Sequence, residues 1–225
     1  MSVLPLAALL LAASPADAQL AGSVSLQSNV LFRGETVSSD DPGVVVGVNY
    51  DGPAGVYFGG SVTMAAGASE PHIATADQYA GYALRSGRTT VDLGVIHRSY
   101  DRVVDEDYSR GFFEGYVGLT HRNVRARLYV SPDYLREGLA SYYAEVNATL
   151  LRQGRVTVEG HAGLSLIPVE QDDGHHRLVT FDDWRLQASY PAGRISLSGG
   201  IAGTNYPVYS ERGRVRGFVS ATLGF

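Results

Sequence analysis

The segment Val124-Arg125-Ala126-Arg127-Leu128-Tyr129-Val130 constrains the fold more than any other stretch of the chain. Its apolar residues stand at 124, 126, 128 and 130, with an arginine in each of the first two gaps. A strand sends successive side chains to opposite faces, so this order makes one dry face and one charged face. Val156, Val158, Ala162, Leu164 and Leu166 repeat the pattern, with Thr157, Glu159, His161 and Ser165 opposite. So do Ile195, Leu197 and Ile201, with Ser196 and Ser198 opposite. Alternating segments of this kind occupy 22–32, 43–51, 55–65, 75–85, 89–100, 109–120, 124–133, 140–151, 155–167, 180–190, 194–204 and 214–225. About ten residues is the length a tilted membrane strand needs.

The connections alternate in length. Short ones at 51–54, 86–88, 121–123, 152–154 and 191–193 carry the Gly, Pro, Asn and Asp of hairpin turns. Longer ones fall at 33–42, 66–74, 101–108, 134–139, 168–179 and 205–213. Tight turns at one end and longer loops at the other are the asymmetry of outer-membrane barrels. A soluble two-sheet sandwich would also alternate. Closure is favoured because aromatics gather near strand ends, at Phe32, Tyr50, Tyr57, Tyr82, Tyr100, Phe112, Phe113, Tyr142, Trp184 and Tyr190, where interfacial girdles would place them. The expected fold is therefore all-β, a single transmembrane antiparallel β-barrel of about twelve strands.

The start of the chain reads as an export signal. An apolar run from Val3 to Ala13 is broken by Ser14-Pro15, and Ala16-Asp17-Ala18 supplies a small-x-small cleavage site before Gln19. The expected division is 1–18 signal peptide and 19–225 outer-membrane barrel, with the mature protein in the outer membrane of a Gram-negative bacterium. No Arg or Lys precedes the run, a departure from the usual pattern. At the other end, counting back from Phe225 in twos gives Leu223, Ala221, Val219, Gly217 and Val215 on the lipid side. A terminal aromatic on an alternating last strand resembles the membrane-insertion signal by which barrel-assembly machinery recognises its clients.

Three segments carry a family resemblance: Asn29-Val30-Leu31-Phe32-Arg33-Gly34, Tyr129-Val130-Ser131-Pro132-Asp133-Tyr134 and Phe181-Asp182-Asp183-Trp184-Arg185-Leu186. Their order and spacing resemble those of the TorF-family putative porins of proteobacteria. The resemblance implies an outer-membrane, porin-like barrel. It implies neither a substrate nor catalytic residues.

By parity the lumen should hold Asp77, Arg85, Asp92, Arg98, Glu114, Arg125, Arg127, Glu145, Glu159, His161, Asp183, Arg185, Arg214 and Arg216. An Arg facing lipid at the midplane costs about 2–4 kcal/mol, which sends these side chains inward. Glu114, Arg125 with Arg127, and Glu145 lie on successive strands and predict an acid–base–acid ladder across the wall. Such charges serve either a constriction that selects solutes or a network that braces a narrow barrel. The residues expected to set selectivity are Glu114, Arg125, Arg127, Glu145, Glu159, His161, Arg185, Arg214 and Arg216.

Composition removes several alternatives. The chain has no cysteine, so no disulfide framework. Its net charge of -5 gives no footprint for nucleic acid. Lysine is absent, so every Lys-or-Arg charge is a guanidinium. Gln171-Asp172-Asp173-Gly174-His175-His176 has metal-ligating residue types but no standard spacing, and is read as a solvated loop. Asp101, Asp105, Glu106 and Asp107 make a second acidic loop, able to meet lipopolysaccharide through divalent cations. His97 and Ser99 share a face, but no nucleophile motif surrounds the serine. The expectation is a channel for passive diffusion of small hydrophilic solutes, not an enzyme, with no cofactor and no metal. Its partners would be outer-membrane lipid and lipopolysaccharide, the solutes, and the assembly machinery, with homo-oligomers left open. The alternatives are a non-conducting envelope or adhesion barrel and a barrel lipid hydrolase.

Overall fold

The computed structural model describes residues 19–67, 70–100, 111–134, 138–170, 176–206 and 215–225 of the chain. Twelve antiparallel strands close on themselves: β1 (Gln19–Gln27), β4 (Gly43–Asp51), β5 (Val56–Ala65), β6 (His72–Ser86), β7 (Thr89–Tyr100), β8 (Gly111–His121), β9 (Val124–Ser131), β10 (Ser141–Gln153), β11 (Val156–Glu170), β12 (His176–Ala192), β13 (Ile195–Thr204) and β14 (Val215–Gly224). Each strand pairs with its sequence neighbour in the ring, and β1 pairs with β14 from Ser23↔Gly224 to Gln27↔Ser220. Closure leaves no free edge, which matters for a sheet whose outside is apolar.

The alternation is realised strand by strand. Leu93, Val95, Val117, Leu128, Val146, Leu186 and Val219 all point outward and are exposed. The strand arginines Arg98, Arg125, Arg127, Arg185 and Arg216 take the opposite parity and face the lumen. Two irregularities preserve this division. The register shifts between Thr149 and Leu151, so Leu150 is extra and both leucines stay outside. A second shift between Thr63 and Met64 lets Ile73 face out while Thr75 turns in. Bulges re-aim a strand in this way without breaking the ladder beyond them.

One end carries tight turns. Gly87, Arg122, Gly154 and Gly193 each open a two-residue connection with positive φ, from 54° to 69°. Such turns match the twist of the paired strands, and Arg122 adopts at 54° what glycine supplies elsewhere.

Four expectations need correction. The first strand ends at Gln27, not at 32. Residues after it form a small separate hairpin, β2 (Leu31–Phe32) and β3 (Glu35–Thr36), not an outer loop. The 168–179 connection is mostly strand, because β11 runs to Glu170 and β12 begins at His176. The aromatic positions divide: Tyr50, Tyr82, Phe113, Tyr142, Trp184 and Tyr190 are on the outer parity, whereas Phe32, Tyr57, Tyr100 and Phe112 face inward. Burial of an aromatic ring in the lumen is as good a reason for its place as an interface. Residues 1–18, expected to be an export signal, the acidic segment at 101–107, Gln171 to His175 and Arg214 lie outside the described residues.

Candidate functional site

The hairpin turns on Arg33-Gly34, both in the left-handed region at φ 48° and 77°. Positive φ at both central residues is the signature of the tightest hairpin turns. Gly34 is required here for space as well: a Cβ would stand 2.8 Å from the Gly203 carbonyl oxygen. The hairpin base is tied to itself. The Val37 amide donates to the Val30 carbonyl at 2.9 Å, and Thr36 Oγ1 to Asn29 Oδ1 at 2.7 Å. Asn29 donates to Asp40 at 2.7 Å, and the Val30 amide to Ser38 Oγ at 3.0 Å. Val30, Leu31 and Phe32 are buried. The segment folds into the barrel because its apolar residues have a core to meet there and its polar residues satisfy one another.

Once inside, the hairpin crosses the lumen. Arg33 reaches Glu114 on β8, five strands round the ring from β1 by way of β4, β5, β6 and β7. Its Nη2 lies 2.7 and 2.9 Å from the two carboxylate oxygens. Its guanidinium also lies over four rings: Tyr143 at 3.9 Å, Phe32 at 4.8 Å, Tyr134 at 5.1 Å and Tyr129 at 5.6 Å. A desolvated cation–π contact contributes up to about 2 kcal/mol. Burial alone would lower the Arg33 pKa, but the Glu114 carboxylate, together with Tyr134 and Tyr143, raises it above the ordinary value. On the opposite wall Arg216 donates to Asp40 at 2.9 Å and lies 3.6 Å from Glu35.

The wall around the hairpin is a connected polar layer. Arg98 makes two bonds to Asp77, at 2.6 and 2.8 Å, and its guanidinium lies 3.8 Å from the Phe32 ring centre. Arg127 on β9 reaches Asp92 on β7 at 2.8 Å, passing over Gly118 on the strand between them. His161 Nε2 is 2.7 Å from Asp183, its Nδ1 is 2.9 Å from Asn147, and Tyr143 donates to Asp183 at 3.1 Å. Tyr129 donates to Glu145 at 3.1 Å, and Gln187 to Glu159 at 2.9 Å. Tyr129, Tyr143, Tyr116 and Ile96 form a buried cluster, with Tyr57 and Tyr79 against it. Tyr116 lies over Gly94, where a Cβ would stand 2.5 Å from the ring, so glycine on the neighbouring strand makes room for the tyrosine. The Tyr57 and Tyr116 hydroxyls are hydrogen-bonded to each other.

Every described lumen candidate is thus at an inward position, but the partnerships differ from the expected ladder. Glu145 is the register partner of Arg127, yet Glu114 is opposite neither Arg127 nor Arg125; Gly118 and Thr120 are. Glu114 pairs with Arg33 and Arg127 with Asp92, because the stagger of the barrel displaces side chains along the wall. Arg125 and Arg185 make no salt bridge among the described residues, and Arg125 Nε is buried without a hydrogen bond. Arg85 is exposed near the tight-turn end. Phe225 lies on the outer face with its backbone paired to Gly22 of β1, its amide donating at 3.0 Å. His97 and Ser99 face outward: His97 bonds Gln78 at 2.8 Å and Ser99 the Ala76 carbonyl at 3.3 Å, and neither bonds an acid among the described residues. Sequence reasoning missed Arg33, Glu35 and Asp40. The Arg-Gly dipeptide between Leu-Phe and Glu-Thr was the available signal for a hairpin at that point.

Between the hairpin and the wall, Arg33, Gly34, Tyr143, Glu145, His161 and Asp183 border a cavity of about 30 Å³. That is space for one or two water molecules. Among the described residues no group of three or more His, Asp or Glu is placed to hold a metal ion.

Comparison with solved structures returns barrels of the same architecture. The chain is similar to the COG4313 outer membrane channel from Pseudomonas putida F1, at 13% identity and TM-score 0.53, covering 95% of this chain and 97% of that one. It is similar to the KdgM porin at 10% identity and TM-score 0.51, covering 93% and 99%. It is also similar to the NanC porin at 10% identity and TM-score 0.50, covering 92% and 98%. At these identities the likeness is one of fold. A comparison with curated protein sequences finds no match. A family profile does match, over residues 11–223, and its description is a bacterial protein of unknown function, Gcw_chp. With nearly its whole length inside that match, the chain belongs to the Gcw_chp family.

Proposed function

We propose that the protein is a porin-like channel of the outer membrane, in keeping with the TorF-family resemblance, through which small hydrophilic solutes diffuse passively. The observation that carries this reading is the division of the closed barrel: charges turned to the lumen, hydrocarbon turned outward round the ring. An apolar outside is unfavourable in water and suits lipid. The architecture shared with outer-membrane channels and porins supports the same reading. On it, residues 1–18 are a cleaved export signal, and the tight turns and both ends of the mature chain lie on the periplasmic side. Phe225 marks the last strand for the assembly machinery, and the longer connections meet lipopolysaccharide. The proposed function needs no cofactor and no chemical step.

Twelve strands fall between barrels filled by side chains and the wide sixteen-stranded porins. The hairpin narrows the lumen further, so the full-length protein should pass only small ions and solutes. Planar-bilayer recordings of the purified protein should give discrete unitary currents. Proteoliposome swelling with solutes of graded size should report a low size limit. A correctly folded barrel that stays silent in both assays would refute transport and favour the envelope structural role.

Arg125, Arg127 and Arg185 are the proposed determinants of ion preference, with Glu114, Glu145, Glu159, His161, Arg214 and Arg216 modulating it. Arg125 weighs most because it makes no salt bridge among the described residues and its Nε is buried without a hydrogen bond. Replacing Arg125 and Arg127 with Ser removes two fixed positive charges from a confined path, where image effects amplify them. The reversal potential in a salt gradient is expected to move toward cation preference by several millivolts or more. An unchanged value would show that these arginines do not line the conducting path.

A further inference from the structure

Tyr129 and Tyr143, on wall strands, and Tyr134, just beyond the end of β9, are each held by contacts outside the hairpin. Tyr143 is held by its hydrogen bond to Asp183, and Tyr129 by its bond to Glu145. Tyr134 packs edge-on against Phe112, with ring centres 4.7 Å apart. Glu114 closes the cage with a carboxylate whose side chain is 4% exposed. Three rings and one carboxylate around a planar cation are the chemistry of a recognition site for guanidinium groups. A flat delocalised cation stacks on ring faces and forks onto a carboxylate, whereas a compact, strongly hydrated ammonium gains less from either.

We propose that Glu114, Tyr129, Tyr134 and Tyr143 form a guanidinium-binding site inside the barrel. In the present state Arg33 occupies it as an internal ligand. Solutes that carry a guanidinium group compete for it, and their binding releases the tip of the hairpin. The tether gives Arg33 an effective concentration in the millimolar range or above, so an external guanidinium must reach comparable concentrations to displace it. The site itself does not depend on transport; only the consequence of release for conduction rests on the channel reading.

The test uses methylguanidinium as the probe and the full-length protein in detergent micelles. Binding is followed by saturation-transfer NMR of the ligand at constant ionic strength. Arg33→Ala is expected to bind methylguanidinium at least tenfold more tightly than the unaltered protein. Arg33→Met, which keeps an apolar stem over the rings but no charge, should behave in the same way and covers the case in which the alanine variant does not fold. Adding Glu114→Gln to either variant should weaken binding at least tenfold, and methylammonium should bind less well than methylguanidinium. If both Arg33 variants bind no better than the unaltered protein, or if Glu114→Gln leaves their affinity unchanged, the proposal is wrong. The second measurement exploits the absence of cysteine: a fluorophore on Ser39→Cys, on the exposed side of the hairpin, reports its release. Methylguanidinium should change its emission in the labelled protein with Arg33 intact, and sodium chloride of equal strength should not. An emission unmoved at saturating methylguanidinium would overturn displacement. Binding in a barrel that never conducts would uphold the site and refute the channel.

Discussion

Replacing residues 29–41 with Asn-Gly is expected to raise unitary conductance several-fold over that of the full chain. The operation is local. Gln27 and Gly43 are register partners at the ends of β1 and β4, so the four residues Ser28-Asn-Gly-Pro42 would bridge them. Barrel closure should survive, because nine register pairs join β1 to β4 and five join β1 to β14. What disappears is the bar that runs from Arg216 on one wall to Glu114 on the other. Conductance rises with the open cross-section, and the lumen that the hairpin now crosses would be left wider. Glu114 and Arg216 would both lose their ion-pair partners from the hairpin and face the new water-filled path. Planar-bilayer recording of both proteins under the same salt provides the comparison. Equal conductance would mean that the hairpin does not limit the path.

The largest loss of stability is expected from Asp77→Asn. Arg98, through Nε and Nη2, and Asp77 form a bidentate pair with side chains 4% and 10% exposed, and Arg98 Nη1 is buried without a hydrogen bond. Removing one member of a buried pair leaves the other charge uncompensated, a cost of about 3–5 kcal/mol. The lower end of that range, about 3 kcal/mol, is appropriate because lumen water can relax around the freed guanidinium. The effect should spread to the hairpin, since the Arg98 guanidinium also covers the Phe32 ring. Denaturant unfolding in detergent, followed by the heat-modifiable gel shift of the barrel, measures the loss. Asp77→Asn combined with Arg98→Met should recover much of it, because both charges are then gone. A single variant as stable as the parent would show that water already screens the pair.

The wall of the barrel was legible in the sequence because its physics is local. Alternation between hydrocarbon-facing and lumen-facing residues is imposed at every second position, so Arg125 and Arg127 could be assigned inward from their neighbours alone. The tight turns were legible for the same reason: Gly87, Gly154 and Gly193 mark where the backbone reverses. The two bulges were not, since one extra residue at Leu150 looks like any other leucine in an apolar strand. Nor was the hairpin. Asn29-Val30-Leu31-Phe32 has the composition of a strand end, and local pattern cannot distinguish a strand that continues in the wall from one that turns into the lumen.

From its own order of residues, then, the chain determines strand number, the inward direction of its charges and the antiparallel connectivity, each a consequence of period-two patterning and turn chemistry. Tertiary structure alone decides which charges meet. Glu114 receives Arg33 from 81 residues away, and Arg216 receives Asp40 from 176 residues away. Those partnerships depend on closure, on the stagger between strands and on a segment folded across the interior. Such distances through space have no counterpart in sequence spacing.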